Sequence, residues 1–163
     1  FLFRPESKEY FHKLLVFSFR KLIPEKIQDI EFPTNLPWAK WRMGTAMPPL
    51  WINDDEALFI VHGINIVNGK YIYSIGRAKF SRKDGKYSVT VAPDPILTPD
   101  TFASVNGGSV EELHDNRRVV YSCGGIIKRK KEDILYLYVN VGDRTTFEVG
   151  LPMAELKEGL FDV

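Results

Sequence analysis

Short runs of apolar and aromatic residues, separated by polar turns, follow one another along much of the chain. A first run covers Leu14 to Phe19. A group of four runs follows at 47–52, 57–67, 70–80 and 86–91. The last of them alternates apolar and polar residues with the two-residue period of a strand that has one wet face. Asn68-Gly69 separates two of the runs and is typical of a two-residue hairpin, because both positions tolerate positive φ. These patterns predict a meander of antiparallel strands.

The same pattern returns after an irregular stretch. Residues 93–119 hold three prolines and the sequence Asn106-Gly107-Gly108, and they show little regular pattern. Further strands are then predicted at 119–129, 134–141 and 145–151, followed by one or two helical turns within 153–160. Two blade-like units, 46–92 and 119–152, therefore recur at a spacing of roughly 70 residues. This recurrence favours an all-β fold of the β-propeller type, with a β-sandwich as the main alternative.

Three prolines lie between the first run and these units, at Pro24, Pro33 and Pro37. Proline removes a backbone donor and clashes with the preceding helical turn, so no helix is predicted here.

Composition and charge exclude several classes of protein. The chain has 163 residues, of which 44% are apolar and 13% aromatic, and its formal net charge is +1. The apolar content suffices for a core and argues against disorder, while near-neutral charge argues against nucleic-acid binding. The longest apolar runs are too short to cross a bilayer. A single cysteine, Cys123, excludes an internal disulfide, and with no signal-like leader the composition points to the cytoplasm.

Candidate chemistry rests on a few polar residues in apolar surroundings, since the common catalytic and nucleotide-binding motifs are absent. His62 is either a core histidine or a polar group at a strand end or bend, where Gly63 would let a ligand approach the backbone. Arg42 is either a surface residue covering Trp41 or an anion ligand. Asp143 either caps a turn or accepts hydrogen bonds from sugar hydroxyls. The three histidines are widely spaced, so no metal site is expected.

Four segments, in this order, resemble motifs of glycoside hydrolase family 130, which contains β-mannoside phosphorylases and related hydrolases. They are Trp41 to Leu50 (WRMGTAMPPL), Leu58 to Gly63 (LFIVHG), Val119 to Ile126 (VVYSCGGI) and Tyr138 to Asp143 (YVNVGD). They are similar to the family's "K-[IL]-G-x-G-x-P-P-[IL]", "L-x-x-Y-H-G", "V-V-F-P-C-G-A" and "Y-Y-G-A-A-D". The chain departs from these patterns at Val61, Ser122 and Asn140, where the family has tyrosine, proline and glycine.

The resemblance implies a five-bladed β-propeller of which this chain covers roughly the last three blades. It implies that Arg42 and His62 bind inorganic phosphate as co-substrate, and that Asp143 contacts the sugar. Exposed aromatic faces also suit sugar rings, and we assign Tyr121 and Tyr138 to substrate binding. The family's catalytic aspartate lies in an N-terminal region that has no counterpart here. No catalytic residue is therefore assigned, and the general acid is expected outside this chain.

Three functions remain open from the sequence. The first is phosphorolysis of β-mannosides, or hydrolysis by a related glycosidase. The second is a non-catalytic or truncated sugar-binding propeller fragment. The third is a β-sheet interaction domain whose aromatic residues are purely structural. The expected ligand is an oligosaccharide or glycoside, with no organic cofactor, nucleic acid or membrane partner. Open strand edges leave room for a homo-oligomer or for pairing with a missing N-terminal half.

Overall fold

The computed structural model describes residues 2–3, 13–20, 23–103, 117–129, 132–142 and 145–161. Strands predominate in these residues, as the sequence predicts. The strands are β1 (Leu2–Phe3), β2 (Lys13–Arg20), β3 (Ile23–Glu31), β4 (Arg42–Thr45), β5 (Leu50–Trp51), β6 (Glu56–Val67), β7 (Lys70–Lys83), β8 (Lys86–Val91), β9 (Arg117–Arg118), β10 (Val120–Arg129), β11 (Asp133–Val141) and β12 (Thr145–Pro152). Two short helices accompany them, α1 (Pro99–Ala103) and α2 (Met153–Lys157).

The strands form three sheets that are antiparallel except at one short strand. The first has the order β1-β2-β3 and the third β10-β11-β12. The middle sheet has the order β4-β6-β7-β8, with β5 also pairing with β6 and the short β9 pairing in parallel with β7. Sequential strands are thus neighbours, as expected for meanders.

The middle sheet is covered on both faces, which explains why the apolar run in β6 is nearly continuous. Residues 57–64 are all buried. Phe59 and Val61 pack with residues of β2 and β3, whereas Leu58 and Ile60 pack with residues of β10, β11 and α2. Alternate side chains of a strand point to opposite faces, so one strand supplies two cores. Sheets layered in this way are compatible with part of a β-propeller.

Tight turns connect the strands of the middle sheet, and the one at Asn68-Gly69 confirms the predicted hairpin. Asn68 and Gly69 have φ of 51° and 75°, and Asp84 and Gly85 have φ of 51° and 73°. Positive φ at both central residues is the signature of the type I′ turn, whose twist matches that of the flanking strands. The local sequence therefore sets the register of β6 with β7 and of β7 with β8.

Sequence patterns missed the strands β1, β3 and β4, and two short elements of the irregular stretch. β3 begins at Ile23 and contains Pro24, which lies opposite Phe19 of β2. Because β3 is at the edge of its sheet, the missing backbone donor of proline breaks no inner ladder. The irregular stretch 93–119 contains α1 and β9, and the predicted helical turns after residue 153 are present as α2.

The guanidinium of Arg77 ties the end of α2 to the middle sheet. Its Nη1 donates to the carbonyl oxygens of Leu156, at 2.9 Å, and of Glu158, at 2.6 Å. A cation at a helix carboxyl end binds carbonyls that have no partner within the helix. Leu156 itself is buried in the core shared with the third sheet. Arg77 therefore fixes α2, which packs over that core, to the middle sheet.

We expect Arg77→Gln to lower the melting temperature by about 4–8 °C, because its bond to Leu156 is part-buried and hydrogen bonds from a charged donor contribute about 1.5–3 kcal/mol. Arg82→Gln on the same strand is the matched control. Arg82 is exposed and pairs with Asp55 at 3.1 Å, so its removal should leave the melting temperature nearly unchanged. Thermal denaturation of both variants measures the difference. Equal shifts would contradict a specific role for Arg77.

Candidate functional site

Arg42 and His62 lie on one face of the middle sheet. In the pairing of β4 with β6, Gly44 is opposite His62 and Arg42 is opposite Ile64. Residues two apart share a face, so the guanidinium and the imidazole come from adjacent strands on the same side. This is the side that carries Ile60 towards the third sheet. The register thus brings together the cation and the imidazole that the sequence singled out.

The imidazole of His62 is buried within β6, not placed at a strand end or bend as one interpretation of the sequence had it. The residue is 3% exposed, with five residues of β6 following it. Its ring centroid lies 5.3 Å from that of Tyr121, with an angle of 57° between the planes. Tyr121 belongs to β10, so this contact joins the middle sheet to the third sheet. His62 therefore sits at the junction of two sheets.

The space beside Gly63 is occupied by protein, which corrects the expectation that a ligand approaches the backbone there. A Cβ built on Gly63 would overlap the Trp38 indole, and one built on Gly76 of the neighbouring strand would do so too. The indole Nε1 donates to the carbonyl oxygen of Pro93 at 2.9 Å. Both glycines are required by close packing of Trp38 on the face opposite to His62.

Tyr121 and Tyr138 are exposed on the third sheet. Tyr121 lies directly opposite Asn140, and Tyr138 precedes Asn140 by two residues on β11. Their exposed fractions are 38% and 37%, whereas Val139, which lies between Tyr138 and Asn140, is fully buried. The two tyrosines and Asn140 therefore share the face that points away from the core. Of the two tyrosines, Tyr121 is the one whose ring contacts His62.

Asn140 is a residue that the sequence analysis recorded only as a departure from a motif. From Leu135 to Val141, it is the polar member of a strand segment that otherwise alternates between buried aliphatic residues and tyrosines. Its position opposite Tyr121 places it beside the junction of the two sheets. A polar side chain inside an apolar strand is the sequence signal that could have marked it.

Asp143 lies outside the described residues, so its predicted role is not examined by the structure. The preceding residue, Gly142, donates its backbone N–H to the carbonyl oxygen of Val119 at 2.9 Å. That bond holds the end of β11 against the start of β10, two residues before Tyr121. Gly142 is therefore anchored to the backbone two residues before Tyr121.

An ion pair between Asp55 and Arg82 lies just before the start of β6. Asp55 accepts a hydrogen bond from Arg82, and this bond together with the carboxylate charge raises the pKa of Arg82 above its ordinary value. A raised pKa preserves the charged form, and arginine is already protonated in the unfolded chain at ordinary pH. Arg82 therefore adds no pH dependence to stability in the working range.

Two kinds of feature were sought in the part of the chain that the structure describes. In those residues, no group of three or more His, Cys, Asp or Glu side chains is placed to hold a metal ion. No helix among them has the length and apolar character needed to span a membrane.

Comparison with known proteins gives one distant relationship. The chain is 31% identical over 111 residues to a β-1,2-mannobiose phosphorylase of Thermoanaerobacter sp. (strain X514). The aligned region covers 68% of this chain and 32% of that protein, so the chain spans about a third of the length of the curated relative it matches. No family model matches the chain. No solved structure matches it either.

Proposed function

We propose that this chain is part of a β-mannoside phosphorylase of glycoside hydrolase family 130, folded as roughly the last three blades of a five-bladed β-propeller. The observation that carries the proposal is the placement of Arg42 and His62 on one face of adjacent strands, with the ring of Tyr121 against the imidazole. The partial identity to a mannobiose phosphorylase supports the same substrate class.

In the proposed reaction, inorganic phosphate attacks the anomeric carbon of a β-mannoside while an acid protonates the leaving oxygen. Phosphate is already nucleophilic, so the protein mainly has to bind and orient it. Orientation of this kind contributes roughly 7–11 kcal/mol at best. Arg42 offers a planar pair of donors to the anion, and the His62 imidazole a further donor. Tyr121, Tyr138 and Asp143 are proposed to contact the sugar.

The general acid is proposed to lie outside this chain, which is why no catalytic residue is assigned within it. Completion of the site then requires an N-terminal half or a second copy. A cytoplasmic location and the two blade-like units, 46–92 and 119–152, belong to the same proposal.

A second candidate function is sugar binding without catalysis. It is favoured by the extent of the match, because the chain aligns with only 32% of the phosphorylase. A domain that lacks the acid would still hold a mannoside between Tyr121 and Tyr138. The two candidates share a ligand and differ in turnover.

Incubation of the chain with an aryl β-mannoside whose leaving group departs without protonation, with and without inorganic phosphate, tests the proposal in the absence of the general acid. Phosphorolysis predicts phosphate-dependent release of the aryl alcohol together with mannose 1-phosphate. Equal release in phosphate-free buffer would indicate hydrolysis. Saturable mannose binding without release, measured by calorimetry, would select the binding function. Neither release nor binding would overturn both candidates and leave a β-sheet interaction domain.

A further inference from the structure

The side-chain oxygen of Asn140 is buried without a hydrogen-bond partner among the described residues. Buried carbonyl oxygens are nearly always hydrogen-bonded, because an unpaired one loses its hydrogen bonds to water and gains none in the protein. Asparagine is also disfavoured in strands. Neither strand formation nor core packing therefore accounts for the amide at this position.

The fold does not require a side chain here. Asn140 points away from the core, because its neighbours Val139 and Val141 are the residues of β11 that fill it. An unpaired buried acceptor on a face that does not fill the core is better explained by a ligand than by stability.

The surroundings of Asn140 indicate which ligand that is. Tyr121, directly opposite, presents an exposed ring face next to His62. Tyr138 presents a second exposed ring on the same face. Aromatic faces and a fixed acceptor suit a neutral molecule that carries hydroxyl donors. A phosphate is disfavoured at this atom, because its oxygens at neutral pH are mainly acceptors.

We propose that Asn140 is a specificity-determining residue whose side-chain oxygen accepts a hydrogen bond from a sugar hydroxyl bound beside Tyr121. This inference rests on the proposed function. It adds a sugar contact at a position where the resembled family has no side chain. It also gives the two ligands separate positions: the sugar binds at Asn140 and Tyr121, and the phosphate binds at Arg42.

Calorimetric titration of the chain with mannose, and separately with inorganic phosphate, tests the assignment. Asn140→Ala should weaken mannose binding about tenfold, the discrimination expected when a buried group loses its partner. Phosphate affinity should stay within twofold of the parent. The melting temperature without ligand should be unchanged or higher, since a buried unpaired group is removed. Asn140→Asp retains an oxygen and should bind mannose more tightly than Asn140→Ala.

Asn65→Ala is the matched control. Asn65 lies in β6, and its Nδ2 donates to the carbonyl oxygen of Pro37 at 2.8 Å. Its loss should lower the melting temperature and leave mannose affinity unchanged. If the parent chain binds mannose and Asn140→Ala binds it equally well, the assignment of Asn140 is overturned while the proposed function stands. If the parent chain binds no mannose, both are overturned.

Discussion

Gly63→Ala is expected to lower the melting temperature by about 6–12 °C, which corresponds to about 3 kcal/mol of overpacking in a chain of this size. The added methyl group would overlap the Trp38 indole and lie 2.5 Å from the Cβ of Ala39. Neither can retreat easily, because Trp38 is held by its bond to Pro93 and Ala39 is fully buried. Differential scanning calorimetry measures the change.

Gly150→Ala is the control for Gly63→Ala. Gly150 is also a strand glycine, but a Cβ there would meet Ile134 and Tyr136 at ordinary contact distances of 3.4 Å. Its substitution should leave stability nearly unchanged or raise it slightly. In a double variant, Trp38→Leu should recover part of the loss caused by Gly63→Ala, because the two changes share one space. Additive losses would show that the indole is not the obstacle.

Arg42→Ala is expected to weaken the affinity for inorganic phosphate by about 10–100-fold, because charged hydrogen bonds to an anion contribute roughly 1.5–3 kcal/mol. The melting temperature should change by only a few degrees, since Arg42 is at the edge of the middle sheet and not fully buried. Calorimetric titration with phosphate, together with thermal denaturation, separates binding from stability.

Two further variants sharpen the Arg42 experiment. Lys40→Ala removes an exposed cation two residues away and should alter phosphate affinity by less than threefold. Arg42→Lys keeps the charge but loses the planar pair of donors, so it should bind phosphate with intermediate affinity. A large fall in melting temperature with unchanged phosphate affinity would identify Arg42 as a structural residue and remove the main support for phosphorolysis.

Strand positions were largely predictable because the signals for them are local. Asn68-Gly69 can adopt the positive φ that a two-residue hairpin needs, whatever the rest of the chain does. The edge strand β3 was not predictable in the same way. Pro24 reads as a breaker, and only the position of β3 at the edge of its sheet makes that proline harmless.

The candidate site, too, was only partly predictable from the sequence. The sequence pointed to Arg42, His62 and Tyr121 as single residues. Register placed Arg42 and His62 on one face, and packing of the third sheet on the middle sheet brought Tyr121 to His62. Asn140 was passed over as a candidate, because its unpaired oxygen is a property of burial and not of spacing.

By itself, the sequence determined the strand order along the chain, the hairpin turns and the residue types available for chemistry, because these depend on neighbours within a few positions. Only the tertiary structure decided which residues pack against each face of a strand. Gly63 illustrates the difference: its side was expected to admit a ligand, yet the indole of Trp38, 25 residues earlier, fills that space. The opposite face, with His62 and Tyr121, carries the proposed site, since contacts between distant segments arise only when the sheets pack.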